Sequence, residues 1–463
     1  MTSLLLFVVA TQTNSVTLPA LFSDHMVLQR DRPARVWGWA NAGEKVAVHI
    51  DRTTVRVTTT SDGDWSAEIP AHPAGGPFTL TVGNKVFKDV MFGDVWVCSG
   101  QSNMQMTVAQ SNDAQNEVAA ANYGNVRLFT VPMTSTESPL ASNGGPWAVC
   151  SPQSVPDFSA VGYFFGRELA TKTGVAVGLI NTSWGGTPVE SWTSRPALRR
   201  IPESKQWLET HLANVKAGKQ GNNAGWFPGA LYNAMIAPLT PFAIRGAIWY
   251  QGESNADKPE LYSRTFPNMI RDWRSAWGQG DFPFYFVQLA AFGTGADWPR
   301  LREAQTKTLA LPNTGMALAI DIGNTTDIHP KNKQDVGKRL ALWAMRDVFG
   351  QNVEVSGPRF VRAELRNSSL LVTLNHAQGI KTTDANAILG FEVAGADKKF
   401  FPAKATFAQV QFSGPPGVYK AVMVSSDSVK APLYVRYAWS SDPKVNLING
   451  AGLPALPFRT DTD

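Results

Sequence analysis

The sequence predicts an α/β fold, a parallel sheet layered between helices and flanked at each end by a β domain. Three observations predict it. Between residues 91 and 350, five short apolar runs alternate with helical patterns. Residues 17–90 instead alternate polar and apolar residues with a period of two, broken by turn-forming pairs. From about residue 352 that period-two pattern returns. Strand–helix alternation calls for an open sheet covered by helices, whereas two-residue alternation calls for half-buried antiparallel strands.

The chain opens with "MTSLLLFVVATQTNS", whose Leu4–Ala10 run resembles the apolar core of an export signal, though no Lys or Arg precedes it. Residues 1–16 are read as a degraded signal or N-terminal extension, which places the protein in the periplasm or outside the cell. In 17–90, "KVAVHI", "TVRV", "DGDWSAEI" and "FTLTV" each put alternate apolar residues on one face, as in a small β-sandwich.

The runs of 91–350 are "VWVCSG", "VAVGLINTS", "IRGAIWYQG", "FPFYFVQLA" and "GMALAIDIG". They are almost continuously apolar, as strands buried on both faces must be. One intervening helix starts near Ser159, carries Val161, Phe164, Phe165 and Leu169, and stops at Gly174. Another spans about 334–349, with Val336, Leu340 and Trp343 at helical spacing and Gly350 as its stop. In 351–463, "SLLVTL" and "YKAVMV" read as strands, and "PLYVRYAW" alternates Leu433, Val435, Tyr437 and Trp439.

Bulk properties exclude several functions. With 463 residues the chain needs more than one domain. Its net charge is +5, but the basic residues are scattered, so no nucleic-acid arm or polybasic membrane patch is present. No apolar run approaches the roughly 20 residues of a membrane-spanning helix. The two cysteines, Cys98 and Cys150, allow at most one bridge. The six histidines lack metal-ligand spacing, so neither a metal nor a cofactor is expected. Tryptophan is plentiful at 15; some indoles belong to the core, and exposed ones make flat surfaces for sugar rings.

Ligands of open α/β sheets bind beyond the carboxyl ends of the strands. The loops leaving those ends here are Gly100-Gln101-Ser102-Asn103, "NTSWGGTPVESW", "YQGESN" and "DIGNTTDIHP". Together they supply the parts of acyl transfer. Ser102 is the candidate nucleophile, His329 its base, and Asp327 the carboxylate that orients the ring. The oxyanion needs donors, for which Gly186 offers a backbone N–H, Gln251 a side-chain amide and Ser102 its own N–H. Taken singly, Ser102 is an ordinary turn serine and Asp327 an ordinary helix cap. Glu253, an acid at a strand end, is a rival base, but reads better as an ion pair or loop brace. The stretch 100–104 lacks the second glycine of Gly-x-Ser-x-Gly, which argues against an α/β-hydrolase elbow.

The stretches "LFSDHMVLQR", "GDVWVCSGQSNM", "FSAVGYFFGREL", "GLINTSWGGTPVESW", "LYNAMIAPL", "IWYQGESNA" and "DIHPKNKQDVGKRLAL" resemble the sialate O-acetylesterase family of SGNH (GDSL-like) hydrolases. The resemblance implies a three-layer α/β/α SGNH domain with β-sandwich-like flanks and a serine esterase acting on O-acetylated sugars. It aligns Ser102 with the nucleophile, Gly186 and Gln251 with the oxyanion contributors, and His329 and Asp327 with base and acid. Many SGNH enzymes space acid and histidine as Asp-x-x-His, which would put Thr326 at the acid position. Asp321 is the reserve acid. Acetylated xylan or xyloglucan is an alternative substrate. A sialic acid carboxylate calls for a cation near Ser102, the role given to Arg302. Two readings of other classes remain: an inactive carbohydrate-binding protein and a metal-dependent deacetylase. Oligomeric state is not legible.

Overall fold

The computed structural model describes residues 16–409 and 419–461. The export-signal reading of 1–16 falls, Val16 apart, outside them. No helix among the described residues is long and apolar enough to cross a membrane.

The central sheet runs Thr314–Ala317, Phe284–Val287, Gly246–Tyr250, Lys85–Gly100, Val177–Ser183, Tyr123–Thr130 and Ala148–Cys150. Every neighbouring pair is parallel except the last. The five apolar runs are the first five of these strands. The pattern did not reveal Tyr123–Thr130, whose first three residues, Tyr123, Gly124 and Asn125, are not buried, nor the three-residue edge strand Ala148–Cys150.

Helices cover both faces. Trp96 and Trp249 point to opposite sides, since Trp96 pairs with Gly246 and Trp249 lies three positions further on. Trp96 packs edge-on to Phe165 of the helix Ala160–Thr173, while Trp249 packs on Phe266 and Trp273 of the helix Pro259–Trp277. The helix Ala160–Thr173 begins at Ser159, whose hydroxyl accepts the Gly162 N–H, and ends at Gly174 in the left-handed region. It lies against the helix Lys333–Asp347 so closely that a Cβ on Gly337 would meet Phe164 Cβ at 2.6 Å.

The N-terminal strands show the expected alternation: Lys45–Ile50 and Asp64–Ile69 each bury every second residue. Lys85–Gly100 is a single strand of 16 residues shared by the N-terminal and central sheets, so it crosses the boundary drawn at 90/91. Among the described residues the C-terminal part forms two antiparallel four-stranded sheets and one two-stranded sheet. There the alternation is narrower than read. Only Tyr434–Tyr437 is a strand, Leu433 is 53% exposed, and Ala438 ends the element at a φ of 54°. Cys98 and Cys150 are both buried free thiols.

Candidate active site

The sheet reverses its winding at Lys85–Gly100, which lies between Val177–Ser183 and Gly246–Tyr250. In open sheets such a switch point opens a crevice at the carboxyl ends. Register sharpens it: Gly100 pairs with Ser183 on one side and Tyr250 on the other, so three loops leave the sheet at one height. Gly100 has a φ of 139°, and a Cβ there would lie 2.1 Å from the Tyr250 carbonyl oxygen. Only glycine lets the chain turn so close to its neighbour. One short helical turn comes next, Ser102–Gln105, with Ser102 at its first position.

Three polar side chains around Ser102 each reach a different part of the site. Gln101 Oε1 accepts the backbone N–H groups of Gly252 at 3.4 Å and Ser254 at 3.3 Å. Asn103 Nδ2 donates to Glu253 Oε1 at 2.6 Å and to the Ile328 carbonyl at 3.0 Å, and its Oδ1 accepts Lys333 Nζ at 2.5 Å. Gln105 Oε1 accepts the Gly185 N–H at 2.7 Å. The "GQSNMQ" stretch therefore ties the glycine loop, the "YQGESN" loop and the histidine loop to the nucleophile.

Ser102 Oγ lies 2.8 Å from His329 Nε2, and accepts or donates according to the ring tautomer. With Nδ1 protonated, the hydroxyl donates to Nε2, the arrangement that general-base activation requires. Asp327 Oδ1 lies 3.4 Å from His329 Nδ1 and accepts the His329 backbone N–H at 2.9 Å. That local turn is what two-residue spacing permits, and it keeps the carboxylate behind the ring. Thr326 is turned elsewhere, its hydroxyl donating to Asn324 Oδ1 at 3.1 Å. The loop is buttressed from the C-terminal part, where Thr325 Oγ1 donates to Asp442 at 2.7 Å. Ser102, His329 and Lys331 line an open cleft of about 680 Å³.

Behind the cleft sits a buried polar group. Burial pushes the Glu253 carboxyl up from its ordinary value, and it pulls Lys333 down to about 7. Glu253 is the loop brace expected of it, joined to Lys333 through Asn103.

Three assignments change. Gln251 is fully buried; its Nε2 donates to the Thr187 carbonyl at 3.2 Å and to Asn255 Oδ1 at 2.7 Å. With both amide hydrogens in use it cannot also serve an oxyanion, so it supports the Gly186–Thr187 turn from beneath. Arg302 is 0% exposed and donates to the carbonyls of Leu289, Ala290, Ser440 and Ser441. A guanidinium stapling the C-terminal segment to the sheet is not available to a substrate. Asp321 is held at 2.7 Å by both terminal nitrogens of Arg339, which removes it as the triad acid.

Gly186 is exposed, with a φ of 71°. The residue against the nucleophile is its neighbour: a Cβ on Gly185 would lie 3.1 Å from Ser102 Cβ. Gly185 spends its N–H on Gln105, whereas the N–H groups of Gly186 and Ser102 have no partner among the described residues. Sequence reasoning missed Gln101, Asn103, Gln105 and Lys333. An amide at every second position around a serine is the one signal that pointed to the first three; nothing in that pattern points to Lys333.

A family model described as "Carbohydrate esterase, sialic acid-specific acetylesterase" matches residues 92–346. The sialate O-acetylesterase of Rattus norvegicus is 33% identical over 424 residues, covering 77% of this chain and 78% of its own. That of Homo sapiens is 31% identical over 492 residues, covering 94% and 91%. The crystal structure of a carbohydrate acetylesterase from Xanthomonas citri superposes with a TM-score of 0.87 at 42% identity, covering 96% of this chain and all of that one. By model, sequence and fold alike, the chain belongs to the sialic acid-specific acetylesterase family of carbohydrate esterases.

Proposed function

We infer that the chain is a serine carbohydrate O-acetylesterase working through Ser102, His329 and Asp327. The 2.8 Å contact between Ser102 Oγ and His329 Nε2, at the switch point of the sheet, carries this reading. His329 takes the hydroxyl proton as Oγ attacks the acetyl carbonyl carbon. The resulting oxyanion is stabilised by the two N–H groups of Ser102 and Gly186, each such donor being worth about 3–4 kcal/mol. Collapse of the tetrahedral intermediate breaks the bond to the sugar oxygen, which leaves with the proton from His329. A water then attacks the acetyl-serine and gives one proton to the same imidazole, which passes it to Ser102 Oγ as the acyl–oxygen bond breaks, releasing acetic acid, which ionises to acetate, and free Ser102. Asp327 stabilises the imidazolium during both halves.

The substrate is an O-acetylated sugar. With Arg302 out of reach, Lys331 at the cleft is the cation that a sialic acid carboxylate would meet. The test is acetate release from O-acetylated sialic acids and acetylated xylo-oligosaccharides. Wild-type protein should release acetate, and Ser102→Ala should lose at least about a thousandfold in kcat. Full activity in Ser102→Ala rejects the mechanism. Retained sialate preference in Lys331→Ala rejects the role given to that lysine.

A further inference from the structure

Beside the Gly186 turn lies a second cleft, of about 440 Å³. Two indoles line it, Trp207 and Trp226, with ring centroids 6.4 Å apart and planes inclined at 56°. Trp226 is 40% exposed, yet its ring is fixed, because Nε1 donates to the Gly186 carbonyl at 2.7 Å. An exposed indole whose orientation is already set offers a flat apolar face at little entropic cost. Ser204 lines the same cleft with a buried hydroxyl that has no hydrogen-bond partner among the described residues. Asn255 forms part of the wall, and its Oδ1 accepts Gln251 Nε2 at 2.7 Å and the Val189 N–H at 3.0 Å. Cleft and glycine turn thus share one framework. A Cβ on Gly185, next to Gly186, would lie 3.1 Å from Ser102 Cβ, so Trp226 is bonded to the residue that follows the one beside the nucleophile.

We propose that this cleft is a sugar subsite, holding an uncharged pyranose next to the acetylated residue of an oligosaccharide. The C–H face of the ring stacks on the indoles, and its hydroxyls find the exposed Asp257 carboxylate. Glu203 at the cleft is paired with Arg264 at 2.6 Å and the buried Glu190 accepts Asn255 Nδ2 at 2.9 Å, which leaves Asp257 beside the one ammonium of Lys258; with no cation in excess, an uncharged sugar is the better match. This rests on the esterase reading, which supplies the reason for a glycan to lie across the Gly186 turn.

Trp207→Ala removes one platform, and Leu261→Trp fills the cleft from its wall. For each variant kcat/KM is measured on acetylated xylo-oligosaccharides and on 4-nitrophenyl acetate, which carries no sugar. The ratio of the two should fall about tenfold in both variants, mainly through KM on the oligosaccharide. A ratio unchanged in both, or equal losses on both substrates, overturns the subsite while the esterase stands. Wild-type protein that cleaves 4-nitrophenyl acetate but no acetylated sugar overturns the esterase reading, and the subsite with it.

Discussion

Removing the Asn103 amide should uncouple the histidine loop from the nucleophile. In Asn103→Ala the Ile328 carbonyl loses its donor, Glu253 loses its side-chain donor and Lys333 loses its acceptor. Asn103 is buried, so solvent cannot replace these bonds. Each buried polar group left in that state costs about 1–3 kcal/mol, which makes roughly 2–6 kcal/mol for Glu253 and Lys333 together. Ile328 precedes His329, and a misplacement of about 1 Å at a reacting group costs up to about a hundredfold in rate. The expected result is a urea midpoint shifted well below wild type and a kcat down by about ten- to a hundredfold, with KM changed less. Asn103→Asp keeps the shape and the Lys333 acceptor but loses both donors, so a similar kcat loss there assigns the effect to donation and not to volume. Acetate release and urea unfolding, run on both variants, decide it. An Asn103→Ala protein with wild-type midpoint and kcat within about twofold would refute the tether.

The surrounding contacts set four further outcomes. Asp327→Asn should lower kcat by at least about a hundredfold, whereas Asp321→Asn should lower the unfolding midpoint with a smaller effect on kcat, because it breaks the pair with Arg339. Gly100→Ala should give little soluble, active protein, since its Cβ would enter the Tyr250 carbonyl; normal yield and activity would contradict that geometry. Arg302→Leu should cost at least about 3 kcal/mol of stability by stranding four carbonyls, yet leave the ratio of sialate to xylo-oligosaccharide activity unmoved. Lys333 has a folded-state pKa near 7 against 10.5 when unfolded, so between those values the unfolded chain holds more protons and the lysine's destabilising cost declines as pH rises. Wild type should therefore gain on Lys333→Met, by up to a few kcal/mol, between pH 7 and pH 10; urea midpoints at the two pH values measure it, and parallel curves would contradict the burial.

The three-layer core was legible in the sequence because strands covered on both faces must be apolar at almost every position, whichever helices cover them. Tyr123–Thr130 escaped for the complementary reason, its first three residues not being buried. Ser102, His329 and Asp327 were legible because acyl transfer accepts few residue types and all three lie in loops that follow strands of the central sheet. Gln251 and Arg302 were misread for a different physical reason. A side chain's composition states how many hydrogen bonds it must make, but not with which partners, and burial directed both toward backbone carbonyls. Gln101, Asn103 and Gln105 acquire their meaning only when chain segments up to 230 residues distant arrive beside Ser102, which the register of Gly100 with Ser183 and Tyr250 arranges. Residue type and period thus determined the layers and the reacting groups. Packing alone decided which polar atoms face substrate and which are spent holding the loops in place.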